Sequence, residues 1–233
     1  KYCVVCNSGT SALMMSLMAL KLKKIIAIIP NINFVAISSI ISIFKGKIAL
    51  CDVNLNTGMV DIDSFKNVIK ECDKKNIKPN LFVPVHYAGN IAVLKGISKI
   101  CKKRKINIIE DGCHSFGSYK LNNNVKEYVG NCANSKMTTF SFHPVKNITT
   151  FEGGAITTNN KSFYEKLILL RSHSLKKTSL IEPYELIIPS LNFRLNELSA
   201  LIGISQLKQL IKFKKQRNKI VYQYLKLLNK LEK

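Results

Sequence analysis

Three short stretches of this sequence carry residue types that could act together on one anionic group. The first runs from Thr138 to Thr158, TTFSFHPVKNITTFEGGAITT: an apolar strand turns at Pro144, presents Lys146, and passes through Glu152-Gly153-Gly154 into another strand. A lysine set at a strand end between aromatic residues and a glycine turn can be partly desolvated, which lowers its pKa and frees the amine to attack a carbonyl. Schiff-base chemistry requires that state. The second stretch, INIIEDGCHSFG, ends a mostly apolar strand in Glu110-Asp111. A carboxylate so placed can pair with a protonated ring nitrogen, as in the pyridinium of pyridoxal phosphate. The third, Ser8-Gly9-Thr10-Ser11, leads into the helical run ALMMSLMAL, whose first N–H groups make a phosphate site. Gly9 would let the backbone approach a phosphate and Thr10 adds a hydroxyl, although Ser and Thr here also read as an ordinary helix cap. Phosphate cradle, acidic partner and lysine come in an order that one cofactor would explain.

The elements that must position these stretches can be read in chain order. Tyr2–Cys6 is a short strand, followed by the Asn7–Ser11 turn and a helix to about Leu22. Ile25–Pro30 has the unbroken apolar pattern of a strand buried on both faces, which suits a parallel sheet. Asn31–Ala36 leads into a helix to about Phe44, and Phe34 in that loop reads either as core or as a ring that stacks on a ligand. Further strands are expected at Ile48–Val53 and Leu81–His86, with helices around Ser64–Lys74 and at Ile91–Lys105. The latter turns Ile91, Leu94, Ile97 and Ile100 towards the sheet. His86 and Tyr87 fall at a strand C-terminus, the ligand-facing edge of an open α/β sheet, where His86 either lines a site or makes a structural hydrogen bond. Strand Ile106–Ile109 delivers Asp111, with His114 three residues on. Ser118–Ser135 is a polar surface loop with room for a short hairpin. Lys161–Arg171 is a helix, Leu175–Pro189 an irregular loop, and two consecutive helices follow, Asn196–Ile211 and a cationic one to Leu231. Asn192 by itself reads as a helix-entry residue.

Composition narrows the function classes. A chain of 233 residues with 46% hydrophobic residues and no apolar run near the length of a membrane span is a globular protein with a sizeable core and no membrane span. Lys and Arg number 36 against 14 Asp and Glu, a formal charge of +22. The cations are spread end to end, with short clusters at Lys102–Lys105 and Lys212–Lys219. No nucleic-acid motif accompanies them, so a solvated surface is read in place of specific nucleic-acid binding, and the charge favours an anionic substrate. Seven cysteines in strand and helix contexts indicate reduced, cytoplasmic usage, and no secretory signal is visible at Lys1. Cys3 and Cys6 have the CxxC spacing but no second pair, which reads as strand cysteine with no metal site.

At six blocks, NSGTSAL, IIPNINFVA, VPVHYAGN, IIEDGCHSFG, SFHPVKNITTFEGGAITT and LNFRLNELSALIGISQL, the chain resembles the DegT/DnrJ/EryC1/StrS sugar aminotransferase family. Within it the lysine block is most similar to enzymes that aminate C4 of UDP-linked 4-keto-6-deoxy-hexoses, the UDP-4-amino-4,6-dideoxy-sugar transaminases of the pseudaminic acid type. The resemblance implies an α/β fold like that of aspartate aminotransferase: the three-layer large domain of a fold-type I pyridoxal phosphate enzyme, with a mostly parallel central sheet. Residues 1–210 would form the cofactor-binding domain and 211–233 the start of a helix leading to a small C-terminal domain, largely missing from a chain that looks truncated at both ends.

By the same resemblance Lys146 holds pyridoxal 5'-phosphate and Asp111 its ring nitrogen. Phe34 stacks on the ring, His114 sits at the phenolic oxygen, and Gly9, Thr10, Ser11 and Ser141 hold the phosphate. Asn192 reaches the phosphate in a neighbouring subunit, which implies a homodimer. The implied reaction transfers an amino group from an amino acid such as glutamate to a keto carbon of a nucleotide-linked deoxy sugar, in polysaccharide or glycan biosynthesis. The alternative is a silent remnant that keeps the fold. A dehydratase is disfavoured because such relatives carry histidine in place of the lysine. Two usual glycines are replaced, by Phe151, which would crowd the substrate mouth, and by Ser174, whose backbone must then avoid a conformation that only glycine reaches easily.

Overall fold

The computed structural model describes residues 1–177 and 184–229. Its centre is a seven-stranded sheet made of β1 (Tyr2–Cys6), β2 (Ile26–Pro30), β3 (Lys47–Cys51), β4 (Leu81–Phe82), β5 (Asn107–Asp111), β8 (Met137–Ser141) and β9 (Gly154–Thr158). The two strands between β5 and β8, β6 (Tyr119–Asn122) and β7 (Val125–Tyr128), form a separate hairpin, as the polar loop allowed. Strand order across the sheet is β1-β9-β8-β5-β4-β2-β3. The five strands from β8 to β3 are parallel, whereas β9 runs antiparallel to both β8 and β1. The C-terminal ends of β1, β2, β4, β5 and β8 therefore share one edge. Brief strands suffice because both faces are covered.

Alternation along the strands splits the core into two layers. On one face Ala27, Ile29, Leu81, Val83 and Ile109 pack with helices α1 (Gly9–Leu20), α2 (Ala36–Ile43) and α5 (Lys161–Arg171). On the other, Ile28, Phe82 and Ile108 pack with α3 (Ile62–Lys74) and α4 (Lys95–Arg104). A third cluster, Phe140, Phe142, Ile148 and Ala155 with Leu210 and Phe213, seats the first half of α6 (Glu197–Leu228).

Helix ends follow their capping residues. Ser8 caps α1 by accepting the Ser11 N–H, Asp61 caps α3 by accepting from Asp63 and Ser64, and Asn160 caps α5.

Four expectations are corrected. Helix α4 begins at Lys95, not Ile91, because a turn at Tyr87–Gly89, with Ala88 and Gly89 at φ 52° and 88°, is followed by a non-helical segment whose Ala92 N–H binds the His86 ring. The paired helices after Asn196 are a single α6, since no proline or helix-breaking pair interrupts Glu197–Leu228; residues 230–233 lie outside the described residues. The stretch from Leu175 contains a short antiparallel pair, β10 (Leu175–Lys177) with β11 (Tyr184–Leu186), around residues 178–183, which also lie outside the described ones. Ser174 does adopt the left-handed conformation, φ 57°, held there by its N–H to the Leu169 carbonyl and by the Ile187 N–H on its own carbonyl.

Candidate functional site

At the shared C-terminal edge the sheet opens into a cavity of about 580 Å³. One end is the start of α1. Ser8 is extended, and its hydroxyl accepts the Ser11 N–H at 3.0 Å; the N–H groups of Gly9 and Thr10, residues that line the cavity, have no partner among the described residues. Gly9 is packed so closely on β8 that a Cβ there would lie 2.7 Å from Ser141 Cβ and 3.0 Å from Ser141 Oγ. The missing side chain thus lets the start of α1 and the Ser141 hydroxyl lie side by side in the cavity lining. Gly154 acts from behind: a Cβ there would run into the Ser8 carbonyl, so glycine is what lets β9 start beneath this turn. Ser11 does not line the cavity, because its N–H and hydroxyl are both engaged with Ser8.

Asp111, 6% exposed, lines the cavity at the tip of β5. Its Oδ1 accepts the Cys113 N–H at 3.0 Å, and the carboxylate makes no ion pair among the described residues. The strand tip is fixed by Asp111 N–H to the Pro84 carbonyl, 2.8 Å, and His86 N–H to the Asp111 carbonyl, 3.0 Å. His86 itself is fully buried behind the wall. Its Nδ1 accepts the Ala92 N–H and its Nε2–H donates to Glu110 at 2.7 Å, while Ser135 donates to the other Glu110 oxygen. That selects the structural reading of His86; Tyr87 lines the cavity.

His114 lines it too, its ring 5.9 Å from that of Tyr87 and tilted 55°. Burial first, then the Lys146 charge, push its pKa below the ordinary 6.5, so it is neutral at pH 7. Burial, reinforced by the Asp111 charge, holds the neighbouring Cys113 thiol well above its usual range, so the sulfur meets the cavity as S–H.

Lys146 follows β8 in a turn whose N–H donates to the His143 carbonyl at 2.9 Å. It is half-buried, lines the cavity, and makes no ion pair among the described residues. Phe34 lies at the mouth and is 72% exposed, which excludes the core reading and leaves a ring face open.

Two residues lie elsewhere. Asn192 is exposed outside the cavity, its carbonyl accepting from Asn7 and its Oδ1 from the Arg194 N–H. Phe151, also left-handed at φ 63°, points to solvent and does not line the cavity, so the expected crowding is not seen. Ser8 lines the cavity as well, and so do residues not assigned a role from the sequence, among them Val145 and the pair His143 and Glu152, 3.9 Å apart. These last three flank Lys146 in the quoted block, so proximity in sequence was the available signal. No cluster of metal-ligating side chains occurs, and no helix is long and apolar enough to cross a membrane, among the described residues.

The residues fit pyridoxal phosphate. The Gly9–Thr10–Ser141 cup suits a phosphate, the Asp111 carboxylate, free of ion pairs among the described residues, suits a protonated ring nitrogen, and Lys146 supplies an amine to the same cavity.

Comparisons with known proteins agree with this geometry. The profile of the DegT/DnrJ/EryC1/StrS aminotransferase family matches residues 1–233. The chain is 35% identical over 212 residues to a UDP-4-amino-4,6-dideoxy-N-acetyl-beta-L-altrosamine transaminase of Campylobacter jejuni, covering 90% of this chain and 53% of that one. It therefore spans about half the length of the curated relatives it matches. Among solved structures it is similar to Helicobacter pylori PseC, an aminotransferase involved in the biosynthesis of pseudoaminic acid, with TM-score 0.77, 31% identity, and 90% and 54% of the two chains covered. It is also similar to the PLP form of the putative sugar aminotransferase Spr1654 of Streptococcus pneumoniae, with TM-score 0.81, 25% identity, and coverage of 95% and 58%.

Proposed function

The chain belongs to the DegT/DnrJ/EryC1/StrS aminotransferase family, and from that premise we propose that it binds pyridoxal 5'-phosphate and moves an amino group from an amino acid, glutamate being the expected donor, to a keto carbon of a nucleotide-linked deoxy sugar. The observation that carries this reading is the meeting of Lys146, Asp111 and the Gly9–Thr10–Ser141 cup in one cavity. The relatives' names supply the sugar class, and the C4 position of a UDP-linked 4-keto-6-deoxy-hexose is the substrate they favour.

When bound, the cofactor supplies an aldehyde carbon and an electron-accepting ring on which an amino group can be held between two substrates. The chain's own residues do the rest. Gly9, Thr10 and Ser141 anchor the phosphate, so binding energy away from the reacting carbon fixes its position. Asp111 keeps a proton on the ring nitrogen, which lets the ring take up negative charge. Phe34 covers one ring face at the mouth. Lys146 would hold the cofactor through Nζ, and the same amine, when free, would serve as the general acid and base that holds or moves a proton beside the reacting carbon. His114, neutral, is suited to donate a hydrogen bond to the ring oxygen without adding a cation beside Lys146.

Asn192 is proposed to act in a second subunit, which accords with its exposed position outside its own cavity. Seven free cysteines accord with work in the reducing cytoplasm.

The test is turnover. Purified chain loaded with pyridoxal phosphate, given glutamate and a UDP-linked 4-keto-6-deoxy sugar, should form the 4-amino sugar. Lys146→Ala should abolish product, and Asp111→Ala should keep cofactor binding while turnover falls about 10²–10³-fold. Unchanged turnover in Lys146→Ala would sink the proposal.

A further inference from the structure

We propose that Asn147 is a positioning residue for Lys146, and that the stretch of α6 after Leu210 works with it as a clasp joining the two turns that form the cavity. This rests on the reading that Lys146 and Asp111 serve one bound group.

The Lys146 turn and the loop following Asp111 leave the sheet from neighbouring strands whose ladder ends at the Gly112 N–H on the Thr139 carbonyl, 2.8 Å. Beyond it Asn147 supplies the polar link. Its side-chain N–H₂ donates to the Phe116 carbonyl at 2.8 Å, the only hydrogen bond between residues 142–153 and 112–118 among the described residues. Both partners are then gripped by α6. Arg217 Nη1 donates to the Asn147 carbonyl at 3.1 Å, and Lys214 Nζ donates to the Gly117 carbonyl at 2.5 Å. Gly117 is left-handed, φ 80°, and a Cβ there would stand 3.0 Å from Leu210 Cδ2, so the helix lies directly on that turn. Phe116 fills the space beneath with its ring edge-on to Phe140 and Phe142, centroids 5.3 and 5.5 Å away. Turn carbonyls have no ladder partner of their own, and here two cations of one helix satisfy one on each side.

The arrangement suits a lysine that must meet a bound carbon within a fraction of an ångström, since misplacement on that scale costs orders of magnitude in rate. It also ties α6 beyond residue 210 to the two turns that carry His114 and Lys146 to the cavity. A movement of this helix would reach Lys146 through two bonds, Arg217 to Asn147 and Lys214 to Gly117.

The experiment compares wild type with Asn147→Asp, which keeps the shape and loses the donor, with Arg217→Gln, and with Arg217→Lys. Hydrogen–deuterium exchange is measured without cofactor, and the rate of borohydride-trapped attachment of pyridoxal phosphate to Lys146 is measured separately. Asn147→Asp should speed exchange in residues 112–118 and 143–150 about tenfold, the scale of one net hydrogen bond, and slow attachment by a similar factor. Arg217→Gln should give a few-fold effect that Arg217→Lys largely restores, with exchange in β5 and β8 unchanged. Exchange at wild-type rates in both turns of Asn147→Asp, or a rise spread evenly through the sheet, overturns the clasp. If wild type attaches no cofactor, the proposed function fails, and exchange still decides this point.

Discussion

The two walls of the cavity are built differently. Asp111 stands at the end of a central parallel strand, and its support lies inside the protein: His86, Glu110 and Ser135 form a buried network, and the strand tip bonds in both directions to the Pro84–His86 segment. Lys146 stands on a turn between antiparallel strands, beside exposed His143, Pro144 and Val145, and is held by Asn147 and by cations of a surface helix. In the proposed function Asp111 faces a ring nitrogen, and a rigid mount suits that charge. There the Lys146 amine bonds, lets go and carries a proton: the Asn147 clasp sets its resting position, and a turn held by a few single hydrogen bonds opens more readily than a strand tip inside the sheet.

The largest effect that separates the walls is in stability. His86→Ala removes the ring that donates to Glu110 and accepts from Ala92, leaving a buried carboxylate short of a donor, and should cost about 3–5 kcal/mol in urea unfolding. Asn147→Ala should cost only about 1 kcal/mol in the same measurement. Equal losses would erase the distinction.

Gly9→Ala probes the phosphate end shared by both walls. The added methyl would meet Ser141 Cβ at 2.7 Å, an overpacking worth about 1–3 kcal/mol, and should also remove the competition between inorganic phosphate and pyridoxal phosphate that is expected of the wild type. Competition that persists in Gly9→Ala would place the phosphate elsewhere.

A smaller effect is expected at His114, which lies between the walls. Its folded pKa is below 6.5, so as pH falls the unfolded chain takes up this proton first. The contribution of neutral His114 is complete above pH 6.5 and is lost as pH falls from there through the folded value. Half-burial keeps it modest. His114→Gln should flatten the pH dependence of unfolding just below 6.5, and an unchanged slope would mean that another group sets it.

The same contrast marks what could be read from the sequence. Residues fixed by local rules were legible: β1 and α5 have the expected bounds, and the Asp111, Gly9 and Lys146 blocks meet because each follows a strand end on one edge. Relations made by distant packing were not. The threefold spacing from Ile91 runs on through a segment that is not helical, since Ala92 is buried against His86 by a hydrogen bond that periodicity does not encode. Ser174 is left-handed because carbonyl and amide partners from separate segments hold it there. Arg217 meets Asn147 across 70 residues, with no local signal at either position. Whether His86 lined the site or supported it turned on Glu110, whose side chain leaves the strand on the face opposite Asp111.

The central claim is that Lys146, alone among many lysines, is placed to bond a phosphate-anchored carbonyl group. It is tested most directly by incubating the folded chain with pyridoxal phosphate, reducing with borohydride, and mapping the modified peptides by mass spectrometry, with and without excess inorganic phosphate. The account predicts one dominant adduct, on Lys146, suppressed by phosphate. A folded chain with no adduct, or with adducts scattered over surface lysines and none favoured at Lys146, would contradict it.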